Sequence, residues 1–248
     1  MFTLTRLTGH LAVVATFGML LAAAYEANVR HPGPALLAHA TANPSASGAR
    51  PLGAASTFAL VGGPAVTCAG SVVIGDVGVA SSTAFTNTGC TITGNIHAGD
   101  AVAALAYNDL ITAYAALAAI PCVGRPLTGT LSGTTLRPSV YCFDAAATLT
   151  GQATLAGPAT GVWIFKIGTK GTGALTGTGF SAVLAGGGQP CNVFWLVADD
   201  ATMTDSHFLG TILASAAITL TRGSFFGQAL AKGAVTVTGT TVTGCVRA

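Results

Sequence analysis

The chain has 248 residues, of which 7% are charged and 51% hydrophobic, whereas ordinary soluble proteins carry about 25% charged residues. Its net charge of +2 leaves no basic surface to neutralise a run of phosphates, which excludes nucleic-acid binding; a charged helical bundle or coiled coil is excluded as well. So much apolar content at so little charge also excludes a disordered chain. What remains is rich in Thr, Gly, Ala and Val, with 35 Thr, 33 Gly and the single glutamate Glu26. That composition suits strands and tight turns with a surface wetted by hydroxyls.

Residues 1–24 place Arg6 ahead of an apolar run from Leu11 to Ala24 that ends in small residues. This is the layout of a secretory signal, with cleavage after Ala22-Ala23-Ala24. The alternative is a retained anchor, although the run falls short of the roughly 20 residues that span a bilayer. Residues 25–51 mix Pro, Ser, Ala and Asn with no helix or strand period and read as a flexible lead-in. The chain is therefore expected to be secreted or held at the cell surface, with no membrane contact once the signal is cleaved. Its folded domain is expected to span 52–248.

Export makes the six cysteines interpretable. Cys68, Cys90, Cys122, Cys142, Cys191 and Cys245 all follow the signal, and no pair has zinc-site spacing, so no metal is expected and three disulfides are. Connectivity is open from sequence alone. Local loop closure favours Cys68–Cys90 and Cys122–Cys142, with Cys191–Cys245 tying back the chain end.

One segment has helical character. Residues 98–120 are Ala-rich and stop at Pro121. Ala103, Tyr107, Leu110, Tyr114 and Leu117 form one apolar stripe. Such a rod, at about 1.5 Å per residue, matches the height of seven coils stacked at about 4.8 Å. One helix could thus cover a whole side of a solenoid. Asp100, Asn108 and Asp109 argue against a membrane span, and Asp100 is placed to serve the first-turn amides.

The C-terminal stretch repeats every 17 residues without a gap: ATMTDSHFLGTILASAA from Ala201, ITLTRGSFFGQALAKGA from Ile218 and VTVTGTTVTGC from Val235. Thr202, Thr219 and Thr236 form one column, and Thr204, Thr221 and Thr238 another. Met203, Leu220 and Val237 lie between them. Phe208, Phe225 and Val242 align further on, as do Gly210, Gly227 and Gly244. A fixed short period of alternating segments marks a solenoid whose repeats bury their apolar sides by stacking. Strand alternation turns Met203, Leu220 and Val237 inward and the flanking threonines outward. Upstream, Thr148-Leu149-Thr150 and Ala174-Leu175-Thr176 are read as the same element at spacings of 26 and 28. The runs Val162–Phe165 and Val193–Val197 are read as buried strands.

With these segments in hand, the sequence resembles the secreted microbial ice-binding (antifreeze) proteins built on a discontinuous β-helix with a buttressing helix. The matching pieces run in order: Leu52–Ala59, Gly75–Val79, Gly94–Asp100, Asp109–Tyr114, Leu136–Tyr141, Val162–Gly168, Cys191–Trp195, Gly210–Ala214 and Gly227–Ala231. The resemblance implies an all-β fold with one long helix: a right-handed, discontinuous, three-sided β-helix whose first and last coils are distant in sequence and adjacent in space. It also implies secretion, and adsorption to ice through a flat exposed face that slows ice growth and recrystallisation. The partner is then the ice lattice, with no cofactor and no chemical step.

The candidate ice-binding residues are Thr202, Thr204, Thr219, Thr221, Thr236, Thr238 and Thr241. Hydroxyls and methyls at strand spacing form a stiff grid that anchors water by hydrogen bonding and orders it by apolar hydration. Thr is also simply a good exposed strand residue. The family's ice face repeats Thr, Ala or Gly, any residue, then Thr or Asn, and Thr238-Gly239-Thr240-Thr241 fits that pattern. Thr221-Arg222-Gly223-Ser224 and Thr204-Asp205-Ser206-His207 depart from it, and Leu209 and Phe226 are read as protruding nearby. His207 is read as a surface residue in a turn of the repeat.

Two other readings stand beside this one. A cell-surface adhesion or filament module could use the same scaffold and self-associate through its edge strands. A polysaccharide-cleaving enzyme would use the acidic group Asp199, Asp200 and Asp205, although a loop between strands also accounts for Asp199-Asp200.

Overall fold

The computed structural model describes residues 52–122 and 126–245; the signal and lead-in assigned to 1–51 lie outside the described residues. After a 3-10 turn at Gly53–Thr57, a first coil is formed by β1 (Phe58–Gly62), β2 (Val66–Ala69) and β3 (Val72–Ile74). A second comprises β4 (Asp76–Val79), β5 (Phe85–Thr88) and β6 (Thr91–Ile92). Next, β7 (Ile96–Ala98) leads into α1 (Ala101–Ala119). The chain then resumes coiling through β8 (Thr135–Leu136), β9 (Ser139–Phe143), β10 (Ala147–Ala156), β11 (Trp163–Ile167) and β12 (Leu175–Ala185). It continues with β13 (Val193–Val197), β14 (Ala201–Leu209), β15 (Thr211–Ala214), β16 (Ile218–Phe226), β17 (Ala229–Ala231) and β18 (Val235–Thr243).

The strands pair in parallel in two sheets, β7-β4-β1-β17-β15-β13-β11-β9 and β5-β2-β18-β16-β14-β12-β10-β8. The first coil therefore stacks on the last: β1 lies between β17 and β4, and β2 lies beside β18. The long strands of the second sheet turn a corner near their middles. Gly151, Gly179, Asp205, Arg222 and Gly239 have φ between 51° and 66° there, and Gly70 and Gly89 take the same left-handed backbone where β2 gives way to β3 and β5 to β6. Each coil thus has three sides: a helix face made by the first sheet, a threonine face made by the halves before the corner, and a third face made by the halves after it.

Side-chain alternation fills the interior. Met203, Leu220 and Val237 are buried, as are Phe208, Phe225 and Val242. Phe165 stacks on Trp195 with centroids 3.9 Å apart, and Phe208 on Phe225 at 5.8 Å. One upstream alignment changes. Thr148 pairs with Thr176, not with Ala174, and Gly177 takes the slot of Leu149 and Met203. A Cβ on Gly177 would come within 2.5 Å of the Met203 sulfur, so the larger neighbour uses the space that the glycine leaves.

Strands of the helix face are buried on both sides, because alternate residues Val61, Ile164, Phe194, Leu196, Leu213 and Leu230 pack against α1 rather than into the solenoid. The helix is shorter than the sequence suggests. Residues up to Ala98 belong to β7, and Asp100 is the N-cap, accepting from the Ala103 amide at 2.8 Å. The helical stripe is also redrawn: Ala103, Ala106, Leu110, Ala113 and Leu117 are buried, with Tyr107 and Tyr114 at its margin. The two tyrosine hydroxyls donate to Lys232 O after β17 and Val197 O at the end of β13. Seven helical residues rise about 10.5 Å and two strand steps about 9.6 Å, so a heptad spacing meets every second coil. At the far end Lys166, 8% exposed, donates to the carbonyls of Ala118 and Ile120. Burial lowers its ammonium pKa, while the helix C-terminus supplies the acceptors and negative dipole end that hold the charge there.

A buried side-chain amide secures the join of the first and last coils, and disulfides tie other parts of the stack. The buried amide of Gln228 donates to Ala55 O and Phe58 O, both at 2.8 Å, and accepts from Thr211. Disulfides connect Cys68–Cys90, Cys122–Cys142 and Cys191–Cys245. At the β8 end, residues 130–133 lie over β10: Thr150 N donates to Thr130 O, and Gly133 N to Gln152 O. Part of the edge that an end-to-end filament would require is therefore occupied.

Replacing Gln228 by Leu removes its hydrogen bonds to Ala55 O and Phe58 O and the acceptor of the buried Thr211 hydroxyl, and thermal unfolding should register a loss of about 1–3 kcal/mol. The Asp100 carboxyl is held below the usual carboxylate range, chiefly by the Ala103 amide and then by His97. A carboxyl whose folded pKa is lowered contributes stability above its unfolded value near 3.9 and loses it as pH falls through the folded value. Melting temperature should therefore drop on acidification below about pH 4, with a shallower slope in Asp100→Asn.

Candidate functional site

The threonine face is a lattice built by register. Across it, Thr86, Thr67, Thr236, Thr219, Thr202, Thr176 and Thr148 stand directly opposite one another in seven consecutive coils. Two residues on, Thr88, Ala69, Thr238, Thr221, Thr204 and Thr178 form a second column, and Thr150 precedes the corner of the next coil. Neighbours lie about 4.8 Å apart between coils and about 6.6–7 Å along a strand, so the grid is about 29 Å long. Flat multi-strand sheets are unusual and are stabilised by stacking or side-chain ladders; both are present here.

Column threonines are half-buried to exposed, because each methyl leans on its neighbours in the ladder. Among the described residues, none of their hydroxyls has a protein partner. Some threonines elsewhere donate to protein acceptors, Thr112 to Asn108 O, Thr134 to Leu131 O, Thr211 to Gln228 and Thr240 to Gly223 O, whereas Thr91, Thr241 and Thr243 on the third face are as unpartnered as the columns but do not repeat in an unbroken row. The columns thus present a repeated donor and acceptor beside a repeated methyl, all left for solvent.

Thr241 belongs elsewhere. It lies past the corner, paired with Ser224 and Val72 on the third face, and is separated from the other six candidates by the left-handed Gly239. The outward column there reads Thr91, Val72, Thr241, Ser224, His207, Ser181 and Gln152. The next outward row includes Ile74, Thr243 and Phe226. Phe226 is 45% exposed, whereas Leu209, read from sequence as protruding, is buried. His207 sits within β14, not in a turn, and its Nδ1 lies 2.8 Å from Ser224 Oγ. This face is chemically mixed, and one of its hydroxyls is already engaged.

Asp205 and Arg222 take up the corner position that the other coils give to glycine. They form a two-point ion pair, Nε to Oδ1 at 2.6 Å and Nη2 to Oδ2 at 2.7 Å, and the guanidinium holds the Asp205 carboxyl below the usual carboxylate range. Behind them, Ser206 donates to Thr204 O and accepts from Phe180 N, which fixes the bend. Asp200 accepts from the Ala217 amide at 2.8 Å. Asp200 and Asp205 are thus each engaged in the scaffold, and no group of three metal-ligating side chains converges among the described residues.

Sequence reasoning missed Thr67, Thr86, Thr88 and Thr178, and although it read Thr148 and Thr176 as parts of the repeat it set Thr176 in the wrong column and left both out of the candidate set, because coils of unequal length hide the register. A five-residue signal would have found them: FTNTG from Phe85, VTCAG from Val66, ATLTG from Ala147 and LTGTG from Leu175 share the Thr-x-Thr/Ala-Gly ending of VTVTG from Val235.

Comparison with known proteins matches this architecture. The profile of the Ice-binding-like family matches residues 60–243. An ice-binding protein of Nostoc sp. is 39% identical over 175 residues, covering 68% of this chain and 63% of its own length. Ice-binding protein K3-B1 of Typhula ishikariensis is 33% identical over 212 residues, covering 75% of this chain and 86% of its own. The crystal structure of an ice-binding protein from the Antarctic ascomycete Antarctomyces psychrotrophicus superposes with a TM-score of 0.74 at 35% identity, covering 79% of this chain and 98% of that one. An ice-binding protein from an Arctic yeast superposes with a TM-score of 0.71 at 28% identity, covering 79% and 94%. From Leu60 to Thr243, the stacked coils and the helix beside them are those of the Ice-binding-like family, and to that family the chain belongs.

Proposed function

We propose that this protein binds ice, and that the two columns of the threonine face are the surface that does so. The observation that carries this reading is the set of aligned, unpartnered hydroxyls, repeated with their methyls over seven coils. Water held on such a grid loses little further entropy on joining a crystal, because the backbone ladders have already fixed the spacing. Hydroxyls anchor the layer and methyls restrain the water between them. No concave pocket is needed; many weak contacts over a flat area replace one strong site.

Adsorbed molecules block local growth steps, so the expected activities are crystal shaping and slowed recrystallisation. Family membership supports ice as the partner. Export is supported by the three disulfides, which persist in oxidising compartments, and by the signal-like segment at 1–24.

Partitioning into slowly grown ice tests the assignment. Thr219→Tyr, at the centre of the first column, raises a ring above the grid and should lower the fraction taken up by about tenfold, the factor that about 1.4 kcal/mol of lost contact free energy produces. Gln152→Tyr, on the third face, should partition like the parent. Equal uptake of parent and Thr219→Tyr would remove the threonine face from the mechanism.

A further inference from the structure

We infer that the Asp205–Arg222 pair is a specificity element: it confines ice contact to the threonine face by fencing off the corner beyond it. This inference rests on the reading of that face as the binding surface. Five of the seven corner residues flanking the two columns are glycine, and only these two carry a side chain. Both hold positive φ, at 51° and 55°, a left-handed backbone that crowds the Cβ of a non-glycine residue. Glycine would be the easier residue here, as the neighbouring coils show. The side chains are 52% and 59% exposed and joined across one coil spacing, so they form a ridge at the edge of the grid. The ridge stands at β14 and β16, in the middle of the stack.

Beyond the corner the hydroxyl pattern resumes. Thr91, Thr241, Ser224 and Ser181 lie in the next outward column, broken there by Val72, His207 and Gln152 and with Ser224 held by His207. In the coil that has Gly239, Thr238 and Thr241 flank a corner with no side chain of its own, beside the Arg222 stem, whose Cγ lies 3.7 Å from where a Cβ of residue 239 would stand. In the central two coils, charged groups intervene. Their water is oriented by charge, and removing it is costly. Pairing makes the ridge neutral without removing its hydration or its height. An ordered layer growing from the columns is therefore stopped at the corner of these two coils, in the middle of the stack.

The test is Asp205→Gly with Arg222→Gly, a double replacement that installs the residue found in the other coils. Fluorescently labelled protein on a single-crystal ice hemisphere reads which planes are bound. The double variant should label planes that the parent leaves dark, with a rise in freezing hysteresis. The exchange Asp205→Arg with Arg222→Asp keeps the ridge and its neutrality, and should reproduce the parent pattern. Melting curves of all three proteins show that each is folded. An unchanged plane pattern in a folded double glycine variant would overturn the fence. Thr219→Tyr separates the two claims: if it leaves adsorption intact, the binding-face reading fails. If it abolishes adsorption while the double glycine variant matches the parent, only the fence fails.

Discussion

Everything in this molecule depends on parallel backbone pairing between coils held in constant register. That ladder sets the step of about 4.8 Å, and other features inherit it. The threonine columns are straight because Thr67, Thr236, Thr219, Thr202 and Thr176 are pairing partners. The aromatic stack of Phe165 on Trp195 is close because those residues pair across the same step. Even the helix conforms, since Tyr107 and Tyr114 are spaced to reach alternate coils.

A solenoid has ends and needs a means of closing its register. Here the chain leaves after β7, runs along the stack as α1, and coils back until β17 and β18 meet β1 and β2. The meeting of first and last coils is the least local contact in the fold, and it is where a buried side-chain amide is used. Gln228 joins residues about 170 positions away in sequence, with every buried side-chain polar atom among the described residues satisfied. Lys166 does the corresponding work at the helix C-terminus, where a cation meets carbonyls that have no amide partner. Polar groups in this interior are few, and each of these two marks a junction between elements.

The three faces differ in what their outward residues are left to do. On the helix face, alternate residues are apolar and covered. On the third face, polar and aromatic groups mix, and His207 with Ser224 satisfy each other. Only on the threonine face do identical side chains repeat with their polar atoms free. That difference reflects alignment rather than composition, since threonines are spread through the whole chain but stack in unbroken register on this face alone among the described residues.

The sequence by itself determined the solenoid, the inward set Met203, Leu220 and Val237, the two outward columns over three coils, and the existence of one covering helix. Those features are periodic at short range, and a fixed period of 17 leaves little freedom in how they stack. Only the tertiary structure decided which upstream coils extend the columns. Insertions of unequal length separate Thr67, Thr86, Thr148 and Thr176 from the regular repeat, and register is settled by pairing across coils rather than by spacing along the chain. It also removed Thr241 from the candidate face, because one left-handed residue turns the strand there. Asp205 and Arg222 read as two charges in the wrong place until the fold put them side by side, where each supplies the other's counter-ion.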